Sequence, residues 1–261
     1  MIDLHSHLIP GIDDGARTTE QSLRVLARFA ADGVTGVVCT PHLSASQVSH
    51  GIAETLIEER DRKLGALRTV ADDGPALHPG FEILLDEPLP ATAMGDRRLS
   101  LAGSRYYLVE FPLAVVGGFG DQVLYRMAQA GIVPVVAHPE RYADCSPRLV
   151  ARWREVGARI QVDATTITRA SERGHRARQL LAAGLADVLA ADNHGDGRSL
   201  ASAAAFVREK AEDAHEAIDL LTRRNPSAVV EDRDLAEVPP VRIDEGMLGR
   251  ARRFLRGLRD A

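Results

Sequence analysis

The chain has 261 residues, 45% hydrophobic and 26% charged, an ordinary globular composition that argues against a wholly disordered or membrane-embedded protein and suits one α/β barrel domain. A formal charge of −5 and a pI near 6.0 argue against a general nucleic-acid binder, which needs a basic face to displace counterions from phosphate. No apolar run approaches the roughly 20 residues of a membrane span, and the opening MIDLHSH lacks the basic and apolar regions of a signal peptide, so a cytoplasmic protein is expected.

In chain order, short Val/Ile/Leu-rich runs alternate with stretches of helical periodicity, the pattern of a parallel sheet covered by helices. MIDLHSH begins as a strand. TTEQSLRVLARFAADG follows as a helix, with Thr18 or Thr19 capping it and Gly33 closing it. VTGVVCTPH is a second strand, and a charged helix from about Ala53 to Thr69 leads to HPGFEILLD. RYYLVEFP, a helix through DQVLYRMAQAG, and IVPVVAHPER come next, then the strands ARIQVDAT and ADVLAADNH, each after a helix. These are seven strand candidates, with no linker or repeat before Pro226.

One domain is therefore expected over residues 1–225, with residues 226–261 as a C-terminal extension. VEDRDLAEVPPVRID reads as irregular connection because of its paired prolines and alternating charges. The closing LGRARRFLRGLRDA reads as a basic helix packing Leu248, Phe254 and Leu255 on or beside the body, or offering a docking face to an acidic partner or anionic membrane.

Strong ligands fall at or just past the predicted strand ends: His5 and His7, His42, Glu82, Glu110, His138, and Asp192 with His194. In barrels and open parallel sheets those ends converge on one rim, where active sites are built. Residues two apart on a strand share a face, so Asp3, His5 and His7 project together, as do Asp192 and His194. His50, His78, His175 and His215 fall elsewhere and are expected as surface or capping residues. Imidazoles with carboxylates and no thiolate favour manganese, iron or zinc at a catalytic site. Eight ligands exceed one ion's needs. Two or three ions with a bridging glutamate use them, and a pair roughly 3.5 to 4 Å apart can clamp the attacking and leaving oxygens of a phosphoryl group. Asp13 and Asp14 can add a ligand, and Asp3 is expected to accept from a ligating histidine's other ring nitrogen.

DLHSH, PGIDDGA, TPH, the glutamate after HPGF, VEFP, AHPER and DNH occur in that order. Together they resemble the PHP (polymerase and histidinol phosphatase) superfamily. The HSHLIPGIDDGA opening and AHPERY most resemble its manganese-dependent tyrosine-protein phosphatases of capsule and exopolysaccharide loci, the CpsB/CapC/YwqE type. The resemblance implies a distorted seven-stranded (β/α)7 barrel with a trinuclear metal centre, most commonly manganese. It assigns His5, His7, Asp14, His42, Glu82, Glu110, His138, Asp192 and His194 as ligands. It makes Arg141 and Arg198 the arginines that hold substrate phosphate. Two departures stand out: DNHGDGRSL, where relatives often carry DAHN and an arginine followed by proline, and Leu43, where many carry a second histidine.

The charges suit phosphomonoester chemistry. Asp14, Glu82, Glu110 and Asp192 carry four negative charges against six from three divalent ions, and the remaining plus two attracts a phosphate dianion. Such ions lower the pKa of water towards about 7. A tyrosyl leaving group, with a pKa of about 10, departs with weak proton assistance. A cysteine mechanism would need an arginine six positions after the thiol, but Ala45 and Ala151 stand there after Cys39 and Cys145. The expected activity is protein-tyrosine phosphatase, acting on a phosphotyrosyl protein, by resemblance a bacterial tyrosine kinase, with any membrane recruitment through that kinase. The alternatives are a PHP phosphoesterase for a small metabolite such as histidinol phosphate, and a non-catalytic binding module braced by metal.

Overall fold

A computed structural model describes residues 1–71, 74–113, 118–211 and 213–243. The described residues form nine strands: β1 (Ile2–Ser6), β2 (Gly36–Cys39), β3 (His42–Ser44), β4 (Ala76–Pro79), β5 (Glu82–Leu84), β6 (Tyr106–Glu110), β7 (Val133–Ala137), β8 (Arg159–Asp163) and β9 (Val188–Ala190). They make two all-parallel sheets, one ordered β1-β2-β4 and the other β3-β5-β6-β7-β8-β9.

The α/β class and single body match expectation, whereas the expected closed seven-stranded ladder is replaced by these two sheets. Two predicted strands are each broken in the middle. VTGVVCTPH becomes β2 and β3 around Thr40 and Pro41, and Pro41 has no N–H to give a ladder. HPGFEILLD contributes the end of β4 and all of β5, around Gly80 and Phe81. A Cβ at Gly80 would lie 2.8 Å from a Val38 methyl and 3.1 Å from the Thr40 methyl, so only glycine lets the two breaks lie this close. Across the other edge, β1 and β9 approach at an isolated parallel bridge, Ser6 to Asn193, where the His7 N–H donates to the Asn193 carbonyl at 2.8 Å.

Both faces of the strands are buried, as all-parallel sheets require. Alternate residues serve opposite sides: Tyr106 and Leu108 pack with Leu4, Val38, Val135 and Val188, while Tyr107 and Val109 pack with Val136, Ile160 and the covering helices. The helix Thr19–Ala31 begins where expected, Thr18 accepting the Gln21 N–H, and Gly33 follows it at φ +79°. Its buried stripe is Ser22, Val25, Leu26 and Phe29. The helix Ala53–Val70 likewise lies where its pattern placed it.

Residues 226–243 lie on the body. Pro226 stands near the start of Asn225–Val230, directly after the π-helical turn Leu220–Arg224, a local widening of the kind at which a helix takes in a residue that has no N–H. Val229 joins the cluster around Leu4, and Tyr106 donates to the Arg233 carbonyl at 2.7 Å. Asn225 donates to the carbonyls of Asp187 and Ala236 and accepts the Ala236 N–H, each at 2.9 Å. The expected basic helix with Leu248, Phe254 and Leu255 lies outside the described residues. Among the described residues no helix is long and apolar enough to cross a membrane.

Candidate metal centre

The C-terminal ends of the strands carry the site. β1 presents His5, and His7 follows it; both are fully buried. His138 follows β7 at φ +32° and Asp192 follows β9 at φ +47°, left-handed conformations unfavourable for either residue. Such strain is held where surrounding contacts determine a side chain's direction. The PGIDDGA loop folds back over His7: the Ala16 N–H donates to the His7 carbonyl at 2.9 Å, and a Cβ on Gly15 would sit 2.1 Å from that oxygen. Glycine is therefore obligatory at position 15.

The nine expected ligands converge in four overlapping donor groups, each with its atoms within 4.8 Å of one another: His7, Asp14, His42, His194; His5, Glu82, His138; His5, His7, Asp192; and His42, Glu82, Glu110. Glu82 is the hub. One of its oxygens lies 3.2 Å from His5 Nε2, 3.4 Å from His7 Nε2 and 3.1 Å from His42 Nδ1; the other lies 2.9 Å from His138 Nε2. Asp192 Oδ1 stands 3.2 Å from His5 Nε2 and 3.4 Å from His7 Nε2. Asp14 Oδ1 joins His42 at 3.2 Å to His194 at 3.4 Å. Glu110 is 3.9 Å from His138. The floor is buried, and Asp14 and His42 form an exposed lip.

The field in this cluster favours positive charge. Burial opposes protonation of His5, but Glu82 and Asp192 overcome it and push the imidazole up to about 9; His7 is raised in the same way by Asp13, Asp192 and Glu82. Burial would raise Glu82 and Asp192, yet the imidazoles hold both carboxyls below the usual range. Glu110 is pushed up to about 7 by burial and by repulsion from Glu82. Burial lowers His138 and His194. Five imidazoles and four carboxylates without a thiolate are a donor set for manganese, iron or zinc, and the field that holds protons on His5 and His7 is the field that draws in a divalent cation. The residues fit a multinuclear centre.

The supporting shell differs from expectation in one respect. Asp3 meets no histidine ring; it accepts the backbone N–H of His5 at 3.1 Å and of Ala191 at 3.2 Å, tying β1 to the end of β9. Its carboxyl, fully buried, is pushed up to about 7 by burial. The rings are oriented by other residues: His7 Nδ1 lies 2.7 Å from Asp13, and His5 Nδ1 lies 3.1 Å from the side-chain oxygen Oε1 of Gln161. The structure thus separates the two acids of IDDG, Asp13 behind a ring and Asp14 inside a donor group. Among the described residues none of His50, His78, His175 and His215 joins a donor group; His78 lies in β4.

A cleft of about 340 Å³ opens beside the lip, lined by Asp14, His194, Arg141, Arg198, Asp163 and Thr165 among others. Arg141 bonds Asp192 and lies 3.1 Å from Asp163; Arg198 bonds the Asp192 carbonyl and lies 3.0 Å from His194 Nδ1. Asn193 donates to the carbonyls of Asp196 and Arg198 and so shapes the loop that brings Arg198 back. Asp163 and Gln161 are absent from the sequence-based set. Both lie two residues apart on ARIQVDAT, the one predicted strand that supplies none of the nine expected ligands. Cys39 and Cys145 are buried thiols, each pushed up to about 12 by burial, and neither supplies a nucleophile at neutral pH.

The sequence matches the family described as Capsular polysaccharide synthesis, CpsB/CapC, over residues 1–231. It is 30% identical to tyrosine-protein phosphatase YwqE of Bacillus subtilis (strain 168) over 171 residues, 64% of this chain and 66% of that protein, just under two thirds. It is 29% identical to tyrosine-protein phosphatase CpsB of Streptococcus pneumoniae over 206 residues, covering 74% and 83% respectively. A solved structure from work on YwqE and CpsB, described as metal-dependent tyrosine phosphatases, aligns over 94% of this chain and all of its own at 25% identity with a TM-score of 0.77.

Proposed function

Since the chain belongs to the CpsB/CapC family of capsular polysaccharide synthesis, we propose that it is a metal-dependent phosphotyrosine-protein phosphatase acting on a tyrosine-phosphorylated protein, in the cytoplasm a bacterial tyrosine kinase of capsule or exopolysaccharide assembly. One observation carries the reading: four overlapping donor groups, two of them sharing Glu82, lie beside a cleft that Asp14 and His194 line together with Arg141 and Arg198. The two sheets, meeting at the Ser6–Asn193 bridge, are read as a distorted seven-stranded barrel in which β2 with β3 and β4 with β5 are single interrupted staves.

His5, His7, Asp14, His42, Glu82, Glu110, His138, Asp192 and His194 would hold two or three divalent ions, manganese first among them. Ions so held supply an acidified water and neutralise phosphoryl oxygens. The chain's own part is positioning. Arg141 and Arg198 present planar, permanently charged forks at the mouth, suited to paired bonds with phosphoryl oxygens. Asp192 and Asp163 fix the approach of Arg141. Asp13 and Gln161 hold His7 and His5 so that their Nε2 atoms face the centre, and Glu82 stands between them.

Phosphate release from phosphotyrosyl peptides, with manganese added and with chelator, tests this reading. Metal-stimulated release that chelator abolishes is expected. Equal or faster turnover of histidinol phosphate or phosphoserine peptides would overturn the substrate, and full metal content with no turnover of any aryl phosphate would overturn catalysis.

A further inference from the structure

The cleft beside the metal centre is more cationic than one phosphoryl group requires. Besides Arg141 and Arg198 it is lined by Arg169 and Arg173, and a second cleft of about 530 Å³ continues from it, sharing Arg141, Arg169 and Arg173 and adding Arg176 and Leu113. Arg176 is structural: it donates to the Tyr142 carbonyl at 2.7 Å and pairs with Glu172 at 2.8 Å. Arg169 and Arg173 differ, since among the described residues neither guanidinium meets a carboxylate or carbonyl. The turn bearing them is closely built. A Cβ on Gly174 would stand 2.1 Å from the Arg169 carbonyl, Ser171 accepts the Gly174 N–H at 3.1 Å, and Arg178 donates to the carbonyls of Ile167 and Arg169 at 2.8 and 2.9 Å. Two unneutralised cations are thus carried on a fixed turn at the junction of the two clefts.

We infer that Arg169 and Arg173 form a second anion subsite that engages an acidic side chain of the substrate polypeptide close to the phosphotyrosine. The inference rests on the phosphatase reading for its substrate class but on the second cleft for its location. An anionic flank laid along that cleft leaves water for paired guanidinium bonds, whereas a neutral flank leaves the arginines solvated and gains nothing. Glutamate and a second phosphoryl group share this chemistry.

Turnover is measured on three phosphotyrosyl peptides with neutral, glutamate and second-phosphotyrosine flanks, for wild type and Arg169→Gln/Arg173→Gln, with manganese. The anionic flanks are expected to raise kcat/KM by about 5- to 10-fold through KM, and the double variant to bring that ratio back towards one. The flank with the larger ratio identifies the source of the anion. Equal turnover of all three peptides by wild type, or a ratio unchanged in the variant, overturns the subsite. Anisotropy of a labelled, unphosphorylated glutamate-rich peptide separates this from the catalytic reading. Salt-sensitive binding weakened in the variant supports the subsite even if no aryl phosphate is hydrolysed, and binding that the variant retains sinks it.

Discussion

At Glu82 four imidazoles meet one carboxylate, and both of its oxygens are used. Glutamine there keeps the shape but removes the charge that offsets those rings. Glu82→Gln is expected to cost about 100-fold in metal affinity, read by elemental analysis after dialysis, and activity with it. Arg141 stands at the mouth instead, so Arg141→Ala should raise KM for an aryl phosphate by about 10- to 100-fold, as befits a lost charge-assisted bond, while bound metal stays at the wild-type level. Retained KM in that variant would remove Arg141 from substrate capture. Much of this site was legible in the sequence because strong ligands recur at strand ends, a period-two signal independent of long-range contacts. Asp3 was not legible in its actual role: its partner Ala191 is 188 positions away, and spacing alone says nothing of which backbone N–H closes on it. Gln161 and Asp163 were hidden likewise, their roles set by His5 on β1 and by Arg141 in the turn after β7.

Among the elements, strands and helices followed the alternation of apolar runs, but the two breaks at Thr40–Pro41 and Gly80–Phe81 did not announce themselves. TPH and HPG read equally well as strand ends; what makes them interruptions is that each neighbour resumes pairing, β3 with β5, after the gap. The left-handed turns at His138 and Asp192 are unmarked in the sequence as well, since no glycine stands at either position to signal a positive φ. The loop over His7 is the element most open to test. Gly15→Ala places a methyl carbon against the His7 carbonyl, a backbone atom that cannot yield without moving a donor. Expected are a drop in thermal stability of about 1–3 kcal/mol and weaker metal retention, from melting and dialysis respectively. Unchanged values for both would mean the loop is not braced on His7.

For the molecule as a whole, Glu140 couples stability to pH. It is fully buried, accepts the Asp163 N–H at 2.9 Å with one oxygen and leaves the other without a partner, and burial together with the Asp163 charge pushes it up to about 8. An acid raised from about 4.5 in the unfolded chain is held protonated by folding. Its cost is absent below about pH 4.5, grows as pH rises to about 8 and stays constant above. Glu140→Gln keeps the accepting oxygen and cannot ionise, so its melting temperature should gain on wild type between pH 6 and pH 9 by a few degrees. A gap that does not move with pH refutes this. The seam where β2 gives way to β3, and β4 to β5, has a broader consequence. Like a dislocation crossing two planks of a cask at one height, it divides the rungs of β2 with β4 below from those of β3 with β5 above. His42 and Glu82 occupy a common rung just above it. The ladder itself therefore sets the spacing of that pair, and β6, bonded to β5 on the far side, brings Glu110 to a rung two residues further on.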